Sequence, residues 1–257
     1  MARVFITGSS DGLGLAAASL LISDGHEVVG HARNEERRSD LRESIPQLED
    51  VVVGDLSSAQ QAMSVAQQVN ALGRFDAIIH NAGVGYREPR KITTVDGHAH
   101  VLAINVLAPY LLTASITRPS RLVYLSSGMH RGGDTRLDDL DWNERPWNGA
   151  QAYSDSKLFD ATLAFAVARR WPGVLSNALE PGWVPTKMGG QGAPDDLSQG
   201  HLTQVWLAVS DSPEAQVSGH YFYHERPAQT HPAVRSQEFQ DALVEALADL
   251  TGVSLPA

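Results

Sequence analysis

The strongest constraint on the fold is the alternation of short apolar runs with helix-like runs along the whole chain. Such alternation predicts βαβ units, because parallel strands need a crossover connection that is usually a helix. Right-handed crossovers then give a doubly wound α/β fold with an about seven-stranded parallel sheet and helices on both faces. The predicted strands are Ala2–Thr7, Glu27–His31, Val51–Gly54, Ala77–His80, Leu122–Ser126, Leu175–Leu179 and Tyr221–Tyr223, and the predicted helices are Leu13–Asp24, Ala59–Leu72, Gly97–Ala114 and Ser154–Trp171.

Composition excludes several classes of protein. The 257 residues include no cysteine, which excludes disulfides, thiolate catalysis and cysteine-ligated zinc. A formal net charge of −10 argues against a nucleic-acid surface, which needs a basic stripe. No apolar run reaches the ~18 residues of a membrane span, so we expect a soluble, cytoplasmic protein without a membrane partner.

No repeat or linker divides the chain, so we expect a single domain over residues 1–257. Two polar stretches rich in Gly or Pro, residues 132–150 and 182–200, interrupt the alternation of strands and helices. Polar loops of this length frequently lie over binding sites. We therefore expect both stretches to be substrate loops.

A glycine-rich turn follows the first strand directly. Glycines allow a tight turn and a close approach of the backbone to a pyrophosphate, and the next helix N-terminus favours its negative charge. A strand, glycine turn and helix in this order predict a Rossmann dinucleotide site. The turn is Thr7-Gly8-Ser9-Ser10-Asp11-Gly12-Leu13-Gly14, of which Gly8, Ser10, Gly12, Leu13 and Gly14 are expected to contact the cofactor.

The end of the second strand indicates which dinucleotide is bound. NAD sites usually carry an acidic residue there for the ribose 2′-hydroxyl, whereas an arginine suits the 2′-phosphate of NADP. The sequence His31-Ala32-Arg33-Asn34 has no acid, so Arg33 is the predicted phosphate ligand and NADP(H) is favoured over NAD(H). The alternative is a solvent-facing Arg33, and the charge of Asp11 counts slightly against NADP.

The ends of the third and fourth strands complete the predicted cofactor edge. Asp55 and Leu56 follow the third strand and are expected beside the adenine, although Asp after a strand is also a common helix cap. Asn81, Ala82 and Gly83 follow the fourth strand and would bring small residues and backbone against the cofactor.

Tyr153 and Lys157 are the candidate catalytic pair. A spacing of four residues places the phenol and the ammonium on one face of a helix. A phenol titrates near pH 10, and a nearby positive charge stabilises its ionised form, so that a tyrosine can transfer protons near neutrality.

Together these residues resemble the short-chain dehydrogenase/reductase family, and the resemblance covers nearly the whole chain. The glycine spacing is that of the single-domain branch, not of the longer sugar-nucleotide epimerases. The matching residues are the turn Thr7–Gly14, Asp55, Asn81-Ala82-Gly83, Asn105, Ser126-Ser127, Tyr153 with Lys157, and Pro181-Gly182.

The resemblance implies a role for each matching residue. Tyr153 would be the general acid/base, Lys157 would assist it and hold the nicotinamide ribose, and Asn105 would fix a water in the proton relay. Ser127 would bind the substrate oxygen, with Ser126 as the competing assignment. The residues expected near the nicotinamide are Pro181, Gly182, Val184 and Thr186.

The resemblance also implies an NADP(H)-dependent oxidoreductase that interconverts a carbonyl and an alcohol by hydride transfer, acting on a small molecule. The alternative is a catalytically silent sensor or scaffold that keeps the fold and binds NADP(H). Such proteins usually lack part of the Tyr/Lys pair, which is complete here. Family members often pair the Tyr153 helix across subunits, and the helix that ends before Pro119 is short, so we expect a homodimer or a monomer instead of a tetramer.

The substrate contacts are less constrained by the sequence. The segment Ser126–His130 and the insertion before Tyr153 are similar to the retinol-dehydrogenase-like subgroup, although a retinoid substrate is not implied. His130, Trp142, Trp147 and Met188 are the candidate substrate residues. For His130 the alternative is a satisfied loop histidine, and for the two tryptophans it is burial that anchors the loop. His98 and His100 lie two apart and point to different faces, so we expect no metal site and only surface or partly buried roles.

Overall fold

The computed structural model of the protein describes residues 1–256, which contain one eight-stranded sheet with the order β3-β2-β1-β4-β5-β6-β7-β8. The seven strands β1 to β7 are parallel, which confirms the doubly wound fold. The eighth strand adds an antiparallel edge to β7 that the sequence analysis did not predict. The strands are β1 Arg3–Ile6, β2 Glu27–Ala32, β3 Asp50–Val53, β4 Ala77–His80, β5 Arg121–Leu125, β6 Leu175–Glu180, β7 Tyr221–Tyr223 and β8 Arg226–Pro227.

The core lies on both faces of this sheet. Val4 and Ile6 of β1 point to one face and Phe5 to the other, and all three are fully buried. Continuous apolar strands of this kind are typical of a parallel sheet that helices cover on both sides. The helices are α1 Gly12–Ser23, α2 Glu35–Ser44, α3 Ala59–Ala71, α4 His100–Leu102, α5 Ala108–Ser115, α6 Gly149–Arg170, α7 Leu202–Val209 and α8 Gln237–Thr251.

Three of these helices, α2, α7 and α8, were not predicted. Helix α2 has a single buried residue, Leu41, and therefore lacks the apolar stripe by which helices are recognised. Its start is fixed by Asn34, whose side chain accepts a hydrogen bond from the Arg37 N–H at 2.9 Å. Helix α6 begins at Gly149, five residues before its predicted start, because the Asn148 side chain caps it.

The helix that follows β4 is interrupted by a π-helical segment, Ala103–Leu107, between α4 and α5. Pro109 lies just after this segment and has no N–H. The carbonyl of Asn105, four residues earlier, therefore receives no α-helical hydrogen bond from that position. A π-helical turn is rare and frequently lies at a functional site.

The C-terminal helix α8 covers the outer side of α6. Residues 152–167 of α6 are all buried within the chain itself. Leu243 and Leu247 of α8 are also fully buried. The segment after α8 is bonded to the same layer, because the Tyr110 hydroxyl donates to the Val253 carbonyl and Trp171 Nε1 to the Pro256 carbonyl, each at 2.8 Å.

Candidate active site

A cavity of about 1840 Å³ opens at the carboxyl ends of the parallel strands. Ligands of open α/β sheets bind at this edge, because the strand order reverses there between β1 and β4. Every residue predicted to contact the cofactor lines this cavity: Gly8, Ser10, Gly12, Leu13, Gly14, Arg33, Asp55, Leu56, Asn81, Ala82, Gly83, Tyr153, Lys157, Pro181, Gly182, Val184 and Thr186.

The glycine turn is held tightly against the end of β4. A Cβ atom at Gly14 would lie 2.4 Å from both the Gly8 carbonyl oxygen and the Asn81 amide nitrogen. The Asn81 amide donates to the carbonyls of Thr7 and Gly8 at 2.9 and 3.1 Å. Gly12, by contrast, has a positive φ of 56° and only open space where its Cβ would be. The turn thus leaves a backbone-lined cradle at the N-terminus of α1 that fits a pyrophosphate.

His31 supports this turn from the second strand. Its Nδ1 accepts a hydrogen bond from the Gly8 N–H at 3.0 Å, so Nε2 carries the proton and donates to the Gly54 carbonyl at 2.8 Å. Burial lowers the pKa of His31, which keeps the ring neutral. His31 therefore joins the ends of three strands, a positioning role that was not predicted.

Two arginines face the adenosine end of the cavity. Arg33 is exposed and has no ion-pair partner within residues 1–256. Arg37, one turn into α2, donates to the Ser10 carbonyl and to Asp11 Oδ2, each at 3.0 Å. Asp11 also accepts from Lys187 at 2.7 Å, so its charge is balanced by two cations. The negative charge of Asp11 is therefore less unfavourable for a bound phosphate than its position in the sequence alone indicates.

Tyr153 and Lys157 lie one turn apart on α6, and both line the cavity. The Tyr153 hydroxyl lies 4.0 Å from Met188 Sδ, and its ring meets the Tyr86 ring edge to face at 5.7 Å between centroids. The Lys157 ammonium donates to the Leu125 carbonyl at the end of β5. These contacts hold both side chains in the wall of the cavity.

A buried acid lies behind Lys157. Asp160 Oδ2 is 3.4 Å from the Lys157 ammonium, and the whole residue is 2% exposed. Burial raises the pKa of Asp160 to about 7, and the nearby ammonium opposes that rise. Its other oxygen, Oδ1, is buried without a hydrogen-bond partner within residues 1–256.

The two candidate serines differ in what their hydroxyls contact. The Ser126 hydroxyl is buried and donates to the Lys157 carbonyl at 2.8 Å. The Ser127 hydroxyl accepts from the Met129 N–H at 3.3 Å and lies beside the cavity. Ser126 is therefore committed to holding β5 against α6, whereas Ser127 retains a free donor.

Asn105 lies behind the cavity and does not line it. Its Oδ1 accepts from the Val84 N–H at 2.8 Å, and its amide donates to the Val84 carbonyl at 3.1 Å and to Ser156 Oγ at 3.0 Å. The side chain thus fixes the segment after β4 to α6. The backbone carbonyl of Asn105 lies in the π-helical segment and has no α-helical hydrogen-bond donor.

The candidate substrate residues divide into one that lines the cavity and three that do not. Met188 lies against the Tyr153 hydroxyl. His130 is fully buried: its Nδ1 contacts the Ser127 carbonyl at 2.7 Å, and its Nε2 accepts from the His231 N–H at 3.3 Å. Burial lowers the pKa of His130 to about 4. It is a satisfied core histidine because residues of a distant segment, 221 to 231, close over its ring.

Trp142 and Trp147 also lie outside the cavity. Their rings pack edge to face at 5.6 Å, and Arg145 stacks on Trp142 at 3.6 Å. Trp142 is buried and Trp147 is partly buried in the loop, so a substrate contact by either residue stays a prediction. Several residues of the cavity wall were not predicted, among them Tyr86, His100 and Arg37. Tyr86 lies six residues after the end of β4, which was the available signal for it.

Comparison with known proteins defines the class to which this fold and cavity belong. A family model for the short chain dehydrogenases matches residues 2–128. The short-chain dehydrogenase chyC of Penicillium rubens is 39% identical over all of both chains. The chain therefore belongs to the short-chain dehydrogenase/reductase family and is an NAD(P)-binding oxidoreductase that acts on small molecules.

More distant similarities concern one subgroup of the family and the fold. Human retinol dehydrogenase 14 is 33% identical over 72% of this chain and 62% of its own, which bears out the loose similarity to that subgroup. The crystal structure of an uncharacterized protein from Mycobacterium paratuberculosis superposes with a TM-score of 0.86 at 24% identity, covering 100% of this chain and 96% of the other. In residues 1–256, no helix has the length and apolar character to span a membrane.

Proposed function

We propose that this protein is an NADP(H)-dependent oxidoreductase that interconverts a carbonyl and an alcohol, with Tyr153 as general acid/base. The observation that carries the proposal is the placement of Tyr153 and Lys157 one turn apart on the wall of the same cavity. The Tyr153 hydroxyl can exchange a proton with a substrate oxygen, and the ammonium of Lys157 stabilises the phenolate that remains. Ser127 supports the same oxygen by donating a hydrogen bond.

A bound nicotinamide supplies or accepts the hydride of this reaction. The cavity fits such a cofactor, because the open cradle at Gly12 suits a pyrophosphate and the exposed Arg33 suits a phosphate. Lys157 would hold the nicotinamide ribose, and Thr186 the carboxamide. The chain's own contribution is to orient these groups and to move the proton at the Tyr153 hydroxyl.

The geometry favours NADP(H) over NAD(H). Arg33 is a cation at the cavity without an ion-pair partner in residues 1–256, and Arg37 lies one turn further along. A guanidinium pairs well with a phosphate, and hydrogen bonds to charged groups commonly contribute about 1.5–3 kcal/mol.

The first test replaces Tyr153 with phenylalanine, which removes only the hydroxyl. We expect Tyr153→Phe to keep the fold and NADPH affinity and to lose turnover by about 10²–10⁴-fold, the range for one general acid/base. Single-turnover hydride transfer with NADPH and a panel of aldehydes and ketones measures this loss. Rates near those of the wild type would remove Tyr153 from the mechanism.

The same experiment separates the enzyme from a silent NADP(H)-binding sensor of the same fold. A sensor would bind NADPH and would show no hydride transfer with any member of the panel. The Ser126→Ala and Ser127→Ala variants sharpen the result, since only the Ser127 hydroxyl is free to face the substrate. Turnover should therefore fall more in Ser127→Ala.

The second test concerns cofactor choice. We expect Arg33→Ala to weaken NADPH binding by about one to two decades and to leave NADH binding nearly unchanged. Fluorescence titration of both cofactors measures this difference, and Arg38→Ala, at a position outside the cavity, is the matched control. An equal loss for both cofactors would contradict the assignment.

A further inference from the structure

His100 is a polar residue in the cavity wall near Tyr153 that the mechanism does not use. It lines the cavity, and the next residue, Val101, packs in the same cluster as Tyr153 and Tyr86. Its Nδ1 lies 2.6 Å from Glu88 Oε1. The Glu88 side chain is only 13% exposed, and its Oε2 is buried without a hydrogen-bond partner in residues 1–256. His100 is thus the open end of an otherwise buried pair.

Glu88 is fixed in place by the loop 132–150. Its carbonyl accepts from Trp147 Nε1 at 2.9 Å. Gly149 lies so close that a Cβ there would be 2.4 Å from the Glu88 carbonyl oxygen. The carboxylate that holds His100 therefore has little freedom to move.

The same loop also fixes the start of the helix that carries His100. Asp141 accepts from the Ala99 N–H at 2.8 Å and contacts His98 Nδ1 at 2.8 Å. Ala99 is the residue that caps α4. The loop thus holds His100 through its backbone as well as through Glu88, although the loop's own tryptophans lie outside the cavity.

In the neutral form of His100, this contact decides which ring nitrogen donates and which accepts. A carboxylate can only accept, so the Nδ1 of a neutral His100 carries the proton and donates to Glu88. Nε2 is then an acceptor, and it makes no hydrogen bond within residues 1–256. Because His100 lines the cavity and Nδ1 is engaged, Nε2 is the nitrogen that a ligand can reach.

We propose that His100 Nε2 accepts a hydrogen bond from a hydroxyl or N–H group of the substrate, so that the enzyme acts on carbonyl compounds or alcohols carrying a second polar donor. The inference rests on the proposed function, since it names the substrate class of that same cavity. Tyr86, Ile104 and Met188 line the cavity as well and suit the apolar or aromatic body of such a compound.

The test compares aryl ketones that differ at one ring substituent. The 2′-, 3′- and 4′-hydroxy derivatives of acetophenone are each paired with the fluoro derivative, which is of similar size and cannot donate a hydrogen bond. For at least one position, we expect wild-type kcat/KM to be about 10- to 100-fold higher for the hydroxy member. In His100→Leu this ratio should fall to near 1, through loss on the hydroxy compound alone.

His26→Leu is the matched control, because the same substitution removes a histidine that accepts from the Ala2 N–H and does not line the cavity. The hydroxy-to-fluoro ratio of kcat/KM in this variant should equal that of the wild type, even if the variant is less stable. An equal loss on both compounds in His100→Leu, or no hydroxy preference at any ring position in the wild type, would overturn the proposal.

Turnover of the fluoro ketones reports on the proposed function separately. If no ketone is reduced, the chemistry assigned to Tyr153 fails, and calorimetric binding of the hydroxy compounds still decides the role of His100. Tighter binding of a hydroxy member to the wild type than to His100→Leu would support the proposal. Equal binding to both proteins would overturn it.

Discussion

The two loops expected over the binding site, 132–150 and 182–200, have opposite physical character. In the first, Arg145 is surrounded by carboxylates, with Asp155 at 3.0 Å, Asp134 at 3.4 Å and Asp139 at 3.5 Å. Asp155 and Asp139 are almost fully buried, and Arg145 also stacks on Trp142. This loop is part of the folded body, and it reaches the cavity only indirectly.

The second loop is bonded mainly to itself. Trp183 is 52% exposed, and its indole donates to the Gly189 carbonyl at 3.1 Å. Outside the loop, Lys187 bonds to Asp11 of the glycine turn and Arg87 donates to the Gly189 carbonyl at 3.2 Å. The Lys187 side chain is 84% exposed, so this ion pair is weak. The second loop thus has the features of a lid over the cofactor.

The two loops have similar length and polarity, and they differ in what their charged side chains contact. A partly buried arginine with three carboxylates holds the first loop to the folded body, whereas the charges of the glycine-rich second loop are exposed and hold it weakly. The lining of the cavity follows the same division, since Met188 of the second loop lines it and Trp142 of the first does not.

The largest expected effect comes from removing the cation of the anchored loop. Arg145→Met should leave the buried carboxylates of Asp155 and Asp139 unpaired and lower the free energy of unfolding by about 3–5 kcal/mol. Denaturant unfolding measures this change. Arg136→Met, which removes only an exposed pair with Asp138 at 3.6 Å, is the control and should cost less than about 1 kcal/mol. Similar losses in both variants would show that the loop is not anchored by Arg145.

The pH dependence of stability should have opposite signs in the two regions. Burial raises the pKa of Asp155 above 3.8, whereas hydrogen bonds from Ser198 lower the pKa of Asp196 in the lid. The contribution of Asp155 is therefore greatest below pH 3.8 and is lost as the pH rises through its folded pKa. The contribution of Asp196 is present above pH 3.8 and is lost as the pH falls.

Asp155→Asn and Asp196→Asn test this sign directly. The difference in unfolding free energy between wild type and Asp155→Asn should decrease from pH 3 to 7, and the difference for Asp196→Asn should increase. Denaturant midpoints across that range provide the measurement. If the two free-energy differences changed with pH in the same direction, one of the two acids would not have the environment described here, which is buried for Asp155 and exposed for Asp196.

The smallest perturbation is a single proteolytic cut. Trypsin should cleave after Lys187 before it cleaves after Arg136, because the lid is held by exposed contacts that open readily. NADPH should slow the first cut by binding beneath the lid. Lys187→Gln removes the site and should change the unfolding free energy by less than about 1 kcal/mol. If trypsin cleaved first within residues 132–150, that loop would be the more easily opened of the two.

The cofactor end of the site could be predicted from the sequence because each residue there stands directly at the end of a strand. Gly8, Asn81 and Pro181 follow β1, β4 and β6, and parallel strands bring their carboxyl ends to one edge. Tyr153 and Lys157 required only the helical spacing. These signals are local in the sequence, so they can be recognised without knowledge of the tertiary structure.

Contacts between distant segments could not be predicted in this way. Nothing near His130 shows that the backbone of His231 will close over its ring. His98 lies before the helix and His100 begins it, so the spacing of a helix does not relate the two side chains, and it does not show that Glu88 will leave His100 at the cavity. Helix α2 was missed because a single apolar residue gives no periodic pattern, and Arg37 was left without a role in consequence.

Helix α8 affects the self-association of this chain, because it competes with a second copy for the outer face of α6. A segment tethered close to its binding face is present there at a local concentration on the order of millimolar, whatever the concentration of the protein. The outer side of α6, where the family resemblance led us to expect subunit pairing, is already covered by α8. A second copy would first have to displace this tethered competitor. We therefore expect self-association through α6 to be outcompeted within each molecule, which favours a monomer over the homodimer.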